Sequence, residues 1–297
     1  MLAFPHQFSA QVMVYNPAML SELGYDAVPT TVEDFKAIAC TANDLTTEAG
    51  GDVQGFPITT DASAFESWVA SMGGSIYDAD ASAFTFADNQ AVADSLALYK
   101  DLYDSGCGYI PAERFAEQAD FGLGLNPFFV TSTAGFTFIK QALVDNSAAF
   151  RLRRRVVPVH RRQPDGAGVR SQHHHVPEHA GRTAFASWLF LKYLISPEVA
   201  AMWSAGSGYF NPIPSTSEMM TEDMFTAYSS IYPYFTAANE LLGSGVTLYS
   251  SPSISAYGTV RGAISEAIAN VTTNGMSVED AVATLQAAAD QAVADSQ

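Results

Sequence analysis

Only six lysines and arginines lie outside residues 151–182, and one of them, Arg261, sits in a helix-forming run, AYGTVRGAISEAIANV. A guanidinium there either pairs with a local acid such as Glu266 or Asp280, or offers a planar fork to a phosphate or to vicinal hydroxyls. Tyr209 follows a glycine-bounded turn in SAGSGYFNP, where an aromatic ring packs into a core or forms a pocket wall. Ser132 and Thr133 stand between an apolar run and a helical one, so they are helix caps or present hydroxyls and backbone N–H groups to a ligand. His173, His174, His175 and His179 are clustered without a structured scaffold, and no metal site is expected from them. No G-x-S-x-G, H-E-x-x-H, P-loop or dinucleotide fingerprint occurs. The carboxylates fall mostly on helix faces and caps, where solvation and dipole complementation explain them. The expectation is a protein without cofactor or metal that is not an enzyme. The alternative, a carbohydrate-active enzyme, requires two carboxylates converging on one cleft, near Tyr209.

Charge narrows the partners. The net charge of −17 repels nucleic acid and anionic lipid from most of the surface. Its distribution is uneven: residues 151–182 hold eight of the ten arginines and five of the six histidines against two acids, Asp165 and Glu178. With 48% hydrophobic residues in 297, the chain has enough apolar material for one large core or two ordinary ones. No apolar run reaches the roughly twenty residues needed to span a bilayer. The opening MLAFPHQFSAQVMVYN lacks a charged and an apolar region in tandem, so no secretory signal is read there. Two cysteines, Cys40 and Cys107, are one bridge or two buried thiols, and spacing leaves both open.

The elements that must position these residues are legible from periodicity and caps. VMVYN at 12–16 reads as a buried strand, with Asn16 and Pro17 opening a short helix. Thr30 and Thr31 precede Glu33 and Asp34 in capping-box spacing, with Val32, Phe35, Ile38 and Ala39 as the apolar stripe. A strand over 53–60, a helix at 64–72, a hairpin after Gly73-Gly74 and a helix from Asp88 or Asn89 to Gly106 follow. Phe185, Trp188, Leu189, Leu191, Leu194 and Ile195 cover more than one face of a helical wheel, so that helix is expected to be buried between a sheet and neighbouring helices. Ser196 and Pro197 start a second helix carrying Val199, Ala200 and Trp203, which Gly206 and Gly208 end. From 216 onward the chain reads as helical, its last helix starting at Ser277.

Two runs carry a resemblance. FASWLFLKYLISPEVAAMWSAGSGYFNPIPS and YNPAMLSELGYDAVPTTVEDFKAIA resemble the family 1 extracellular solute-binding proteins of ABC importers, the maltose- and glycerol-3-phosphate-binding group; the first fits with one extra residue, Asn211. The resemblance implies an α/β periplasmic-binding-protein fold of type 2, two lobes with a hinge, here with the first lobe incomplete. It divides the chain into an interlobe crossover at 1–12, a second lobe at 13–157, a return to the first lobe at 158–206 (158–182 irregular), and C-terminal helices at 207–297 packing across the lobes. It implies capture of a sugar, polyol or glycerophosphate compound and delivery to importer membrane subunits, with a monomer in the periplasm or lipid-anchored outside the cell. Carried over residue by residue, its ligand contacts fall on Ser9, Ser132 or Thr133, Tyr209 and Arg261. Where the family has an aromatic surface, Asp61 and its neighbours are polar. Cysteines at similar places look paired in relatives, which favours a Cys40–Cys107 bridge.

Two departures qualify this. The family's opening βαβ units have no counterpart before Met1, so the chain reads as N-terminally truncated. Within 151–182, Val156–Val159 keeps a strand pattern, but the Arg/His-rich remainder cannot serve as a central strand without large desolvation penalties. That stretch reads as the product of a shifted reading frame, and a binding-impaired fragment is expected.

Overall fold

A two-stranded ribbon divides the interior into two cores. The computed structural model describes residues 6–46, 50–146, 182–246 and 249–296. In chain order the first elements are β1 (Gln11–Tyr15), α1 (Pro17–Glu22), α2 (Val32–Ala42), β2 (Phe56–Pro57), α3 (Ala62–Ser71) and the hairpin β3 (Tyr77–Asp78) and β4 (Ala83–Phe84). Then come α4 (Gln90–Asp104), β5 (Gly108–Tyr109), α5 (Ala116–Gly122), β6 (Phe128–Ser132) and α6 (Phe136–Asp145). The remainder is helical: α7 (Arg182–Leu194), α8 (Pro197–Ser207), α9 (Glu222–Tyr228), α10 (Tyr232–Gly243), α11 (Tyr257–Val271) and α12 (Val278–Asp295).

Strand β1 pairs antiparallel with β6, Gln11 opposite Ser132 through Tyr15 opposite Phe128. Side chains alternate across the ribbon. Met13, Tyr15, Phe128 and Val130 point to a large core built by α2, α3, α4, α11 and α12. Val12, Val14 and Phe129 point to a smaller one with Phe121, Phe136, Phe210, Phe225 and Phe235. Because both faces are covered there, Val12–Tyr15 of β1 and Phe128–Val130 of β6 read as continuous apolar runs. In the large core the Phe35 ring lies 4.9 Å from both Trp68 and Phe128 and 5.1 Å from Phe56.

Helix starts follow their caps. Thr31 accepts the Asp34 N–H at 3.0 Å and Ser277 accepts that of Asp280 at 3.0 Å. Ser196 has the backbone of a cap, but its hydroxyl donates to the Tyr193 carbonyl at 2.9 Å and caps no N–H of α8. Gly206 lies within α8; the left-handed residue that ends the helix is Gly208, φ 76°.

Strand β2 runs parallel to β5, extended by bonds from the Phe56 N–H to the Cys107 carbonyl (2.9 Å) and from Ile58 to Tyr109 (2.7 Å). Only this short part of the expected 53–60 strand is regular. A disulfide joins Cys40, near the end of α2, to Cys107 at the entry to β5. The approach is so close that a Cβ on Gly55 would lie 1.8 Å from the Cys107 carbonyl oxygen and 2.6 Å from that of Ala39.

Helix α7 departs from its expected burial. Phe185, Trp188, Leu189, Phe190 and Tyr193 are 49–63% exposed, and Trp203 on α8 is 44% exposed. The all-round apolar pattern correctly gives a helix, but burial also needs a covering layer, and the described residues cover only the side of Leu191, Leu194 and Ile195, which are partly buried. The basic stretch, its strand Val156–Val159 and the four clustered histidines lie outside the described residues.

Candidate functional site

Three segments far apart in sequence meet at one corner. Phe8 and Phe210 exchange backbone bonds in both directions, at 3.0 and 2.8 Å. Two residues on, the Thr133 N–H donates to the Ala10 carbonyl (2.9 Å) and the Ala10 N–H to Thr133 Oγ1 (3.3 Å). Ser9 is held between these two ties. Gly208 closes the corner: a Cβ there would sit 2.9 Å from the Thr133 carbonyl oxygen, and its φ is 76°. Ser9, Ser132, Thr133 and Tyr209 are therefore brought together by backbone pairing.

The roles of the two hydroxyl residues separate. Ser132 caps the short 3-10 turn Thr133–Gly135, its Oγ accepting the Ala134 N–H at 3.2 Å. Thr133 is fully buried and spends its hydroxyl on the Ala10 tie. Ser132, Ser9 and Tyr209 remain partly exposed. Beside them the His6 and Trp203 rings lie 5.5 Å apart, and the Trp203 indole N–H donates to the Gln7 side chain.

A second corner forms around Arg261. Its Nη2 lies 3.4 Å from Asp61 Oδ2, and its Nη1 donates to Ser63 Oγ at 2.8 Å and to the Tyr257 hydroxyl oxygen at 3.0 Å. Glu66, 2% exposed, stands behind at 4.0 Å from Nη1. Its carboxylate accepts the Tyr257 hydroxyl and, at 2.7 Å, that of Ser251. The acids first considered for Arg261 do not pair with it. Glu266 is five residues on, about 140° around the helix, and Asp280 accepts the Ser277 hydroxyl at the start of α12.

Electrostatics follow from burial. Desolvation raises the Glu66 pKa above the usual carboxylate range, although its two hydroxyl donors and Arg261 pull the other way. For Arg261, burial works against the charge, but Tyr257, Asp61 and Glu66 outweigh it and push the pKa up. Asp61 also caps α3, its Oδ1 accepting the Ser63 and Ala64 N–H groups at 2.9 and 3.1 Å. Burial raises the Glu117 pKa on helix α5, and the Asp120 and Asp61 charges add to it. The Gln118 amide nitrogen lies 3.6 Å from where a Gly135 Cβ would be.

Sequence reasoning named Arg261 and Asp61 with its polar neighbours, Ser63 among them, but missed Glu66, Ser251 and Tyr257. The i,i+4 spacing of Tyr257 and Arg261 was a readable signal; the rest needed the fold. Carboxylates do converge, but on Arg261 rather than around Tyr209. Among the described residues no group of three His, Cys, Asp or Glu side chains forms a metal site, and no helix is long and apolar enough to cross a membrane.

The sequence pattern of the bacterial extracellular solute-binding proteins matches residues 1–233. The chain belongs to that family. As a solute-binding protein it has close structural counterparts. An ABC substrate-binding protein from Listeria monocytogenes, in complex with cycloalternan, superposes with a TM-score of 0.73 at 17% identity. The GacH receptor of Streptomyces glaucescens gives 0.71 at 19%, and a cyclic alpha-maltosyl-1,6-maltose binding protein from Arthrobacter globiformis 0.68 at 22%. These comparisons cover 99–100% of this chain and 72% of each of those chains. They identify a two-lobed, helix-rich α/β fold. No curated protein matches the sequence. Family and structural neighbours are solute-binding proteins rather than enzymes.

Proposed function

We propose that this solute-binding protein is the substrate-binding component of an ABC importer and that its ligand is a neutral sugar or polyol. The carrying observation is the Arg261 corner: a partly exposed guanidinium already balanced by Asp61 at 3.4 Å and by buried Glu66. Such a pair donates to and accepts from vicinal hydroxyls at once, whereas a dianionic glycerophosphate needs positive charge left over. Relatives of similar fold support this class; their structures hold cycloalternan, acarbose, ribitol and tagatose. The Ser9, Ser132 and Tyr209 corner supplies further hydroxyls and a ring. The Cys40–Cys107 disulfide fits an oxidising compartment outside the cytoplasm. The working form is a monomer that passes its ligand to the importer's membrane subunits.

The resemblance implies an apolar, glycine-containing strand where this sequence carries the Arg/His-rich stretch 151–182, so weakened binding is expected. Halving the roughly −8 kcal/mol of a micromolar complex leaves about −4 kcal/mol, a dissociation constant near 1 mM. Calorimetry with maltose, maltotriose, ribitol and glycerol 3-phosphate tests both statements. The expected result is saturable binding of a sugar or polyol near 1 mM, lost in Arg261→Gln. Binding of glycerol 3-phosphate with no response to any neutral ligand overturns the reading.

A further inference from the structure

Glu66 is a buried carboxylate, 2% exposed, that balances Arg261 from behind and is itself withdrawn from solvent. The Tyr257 hydroxyl donates to one of its carboxylate oxygens and the Ser251 hydroxyl, at 2.7 Å, to the other, a double acceptor that the single oxygen of a glutamine does not reproduce. The bond network shows where the charge acts. Tyr257 directs its proton to Glu66, which turns the phenolic oxygen's lone pairs toward Arg261 Nη1 at 3.0 Å. Ser63 Oγ takes the same nitrogen at 2.8 Å. On the solvent side Asp61 spends Oδ1 on the α3 backbone and presents Oδ2 to Nη2 at 3.4 Å. One cation is thus flanked by two carboxylates, Asp61 partly exposed and Glu66 buried behind.

We propose that Glu66 and Asp61 together are an anion filter: they leave the Arg261 corner net negative, so it accepts polyhydroxyl compounds and rejects phosphate esters and other anions. This rests on the reading that the Arg261 corner belongs to the ligand site. An approaching phosphate meets the Asp61 carboxylate at the edge of the guanidinium and the Glu66 field through a poorly screened interior. A sugar hydroxyl meets neither penalty, because it donates to Asp61 Oδ2 while accepting from Arg261. Glu66 is a positioning residue here, acting through Tyr257 and through its charge.

The test measures inorganic phosphate and ribitol binding by calorimetry on the full chain and on D61N, E66Q, the D61N/E66Q pair and that pair with R261Q. Each neutralisation should strengthen phosphate binding about tenfold, the size of one charge interaction at this range and partial exposure. The pair should exceed either single change, and adding R261Q should abolish the gain. Unchanged phosphate affinity in variants that keep the wild-type circular dichroism and a cooperative unfolding transition overturns the filter, as does a gain that survives R261Q. If E66Q fails to fold, D61N alone decides, because Asp61 is partly exposed and asparagine keeps the α3 cap. Absence of ribitol and sugar binding in the wild type counts against the proposed ligand class, while the phosphate series still reads the charge of the corner.

Discussion

At the scale of single residues, scarcity made Arg261 visible and distance hid its partners. In so acidic a chain an arginine on a helix of otherwise small and apolar residues needs a reason, and sequence supplied the question. The answer, Asp61 and Glu66, lies about two hundred positions away, and no local spacing announces a pairing of that range. Glu66 also yields a pH prediction. Its folded pKa is raised by burial, so the folded state holds its proton at pH values where the unfolded chain, with a carboxyl near 4.3, has released it. Stability therefore falls as pH rises from about 4 through the folded value. Glu66→Gln removes that loss: the melting temperature of the variant relative to wild type should rise from pH 4 toward neutrality. A constant difference across that range shows that Glu66 ionises as freely in the folded protein as in the unfolded one.

At the scale of elements, what depends on neighbours in sequence was readable and what depends on a covering layer was not. Thr31 and Ser277 begin their helices because the oxygen that caps and the N–H it accepts are three residues apart. Strand β1 was readable because both of its faces are apolar. The paired corner at Ser9, Ser132 and Tyr209 came through the resemblance of whole segments, since backbone ties between residues 8 and 210 leave no periodic trace. Two elements give measurable consequences. The disulfide closes a separation of 67 residues, for which chain entropy alone gives about 4 kcal/mol. Urea unfolding with and without reductant should show a loss of that order, and the C40A/C107A pair should match the reduced protein. Gly208→Ala faces both a left-handed backbone and a Cβ 2.9 Å from the Thr133 carbonyl. A loss of at least about 1–2 kcal/mol is expected from the backbone alone, and ligand affinity should fall with it because the Tyr209 corner opens. Equal stability of G208A and wild type in the same urea experiment would mean that the corner is not closed at Gly208.

At the scale of the whole molecule, the ribbon β1–β6 lets two cores share one wall, and α7 belongs to neither. Local opening free energy tracks buried apolar contact. Leu96, Tyr99 and Leu102 of α4 and Val260, Ile264 and Ile268 of α11 are essentially buried, whereas Phe185, Trp188, Leu189, Phe190 and Tyr193 of α7 are about half exposed or more and its Leu191 and Leu194 are only partly buried. Amide exchange should therefore be slowest in α4 and α11, approaching global unfolding, and fast along Phe185–Leu194, where helical bonds have little tertiary packing behind them. Mass spectrometry of peptides spanning these helices separates the two classes in one experiment. Protection of α7 equal to that of α4 in the isolated chain would mean that a layer covers it in solution, and Phe185, Trp188 and Tyr193 would then be interior residues, as their sequence pattern asks. Fast exchange that slows only when a sugar is added would instead couple α7 to the ligand-bound arrangement. The linkage would be direct, because α7 continues into α8, and α8 ends at the Gly208 turn that presents Tyr209.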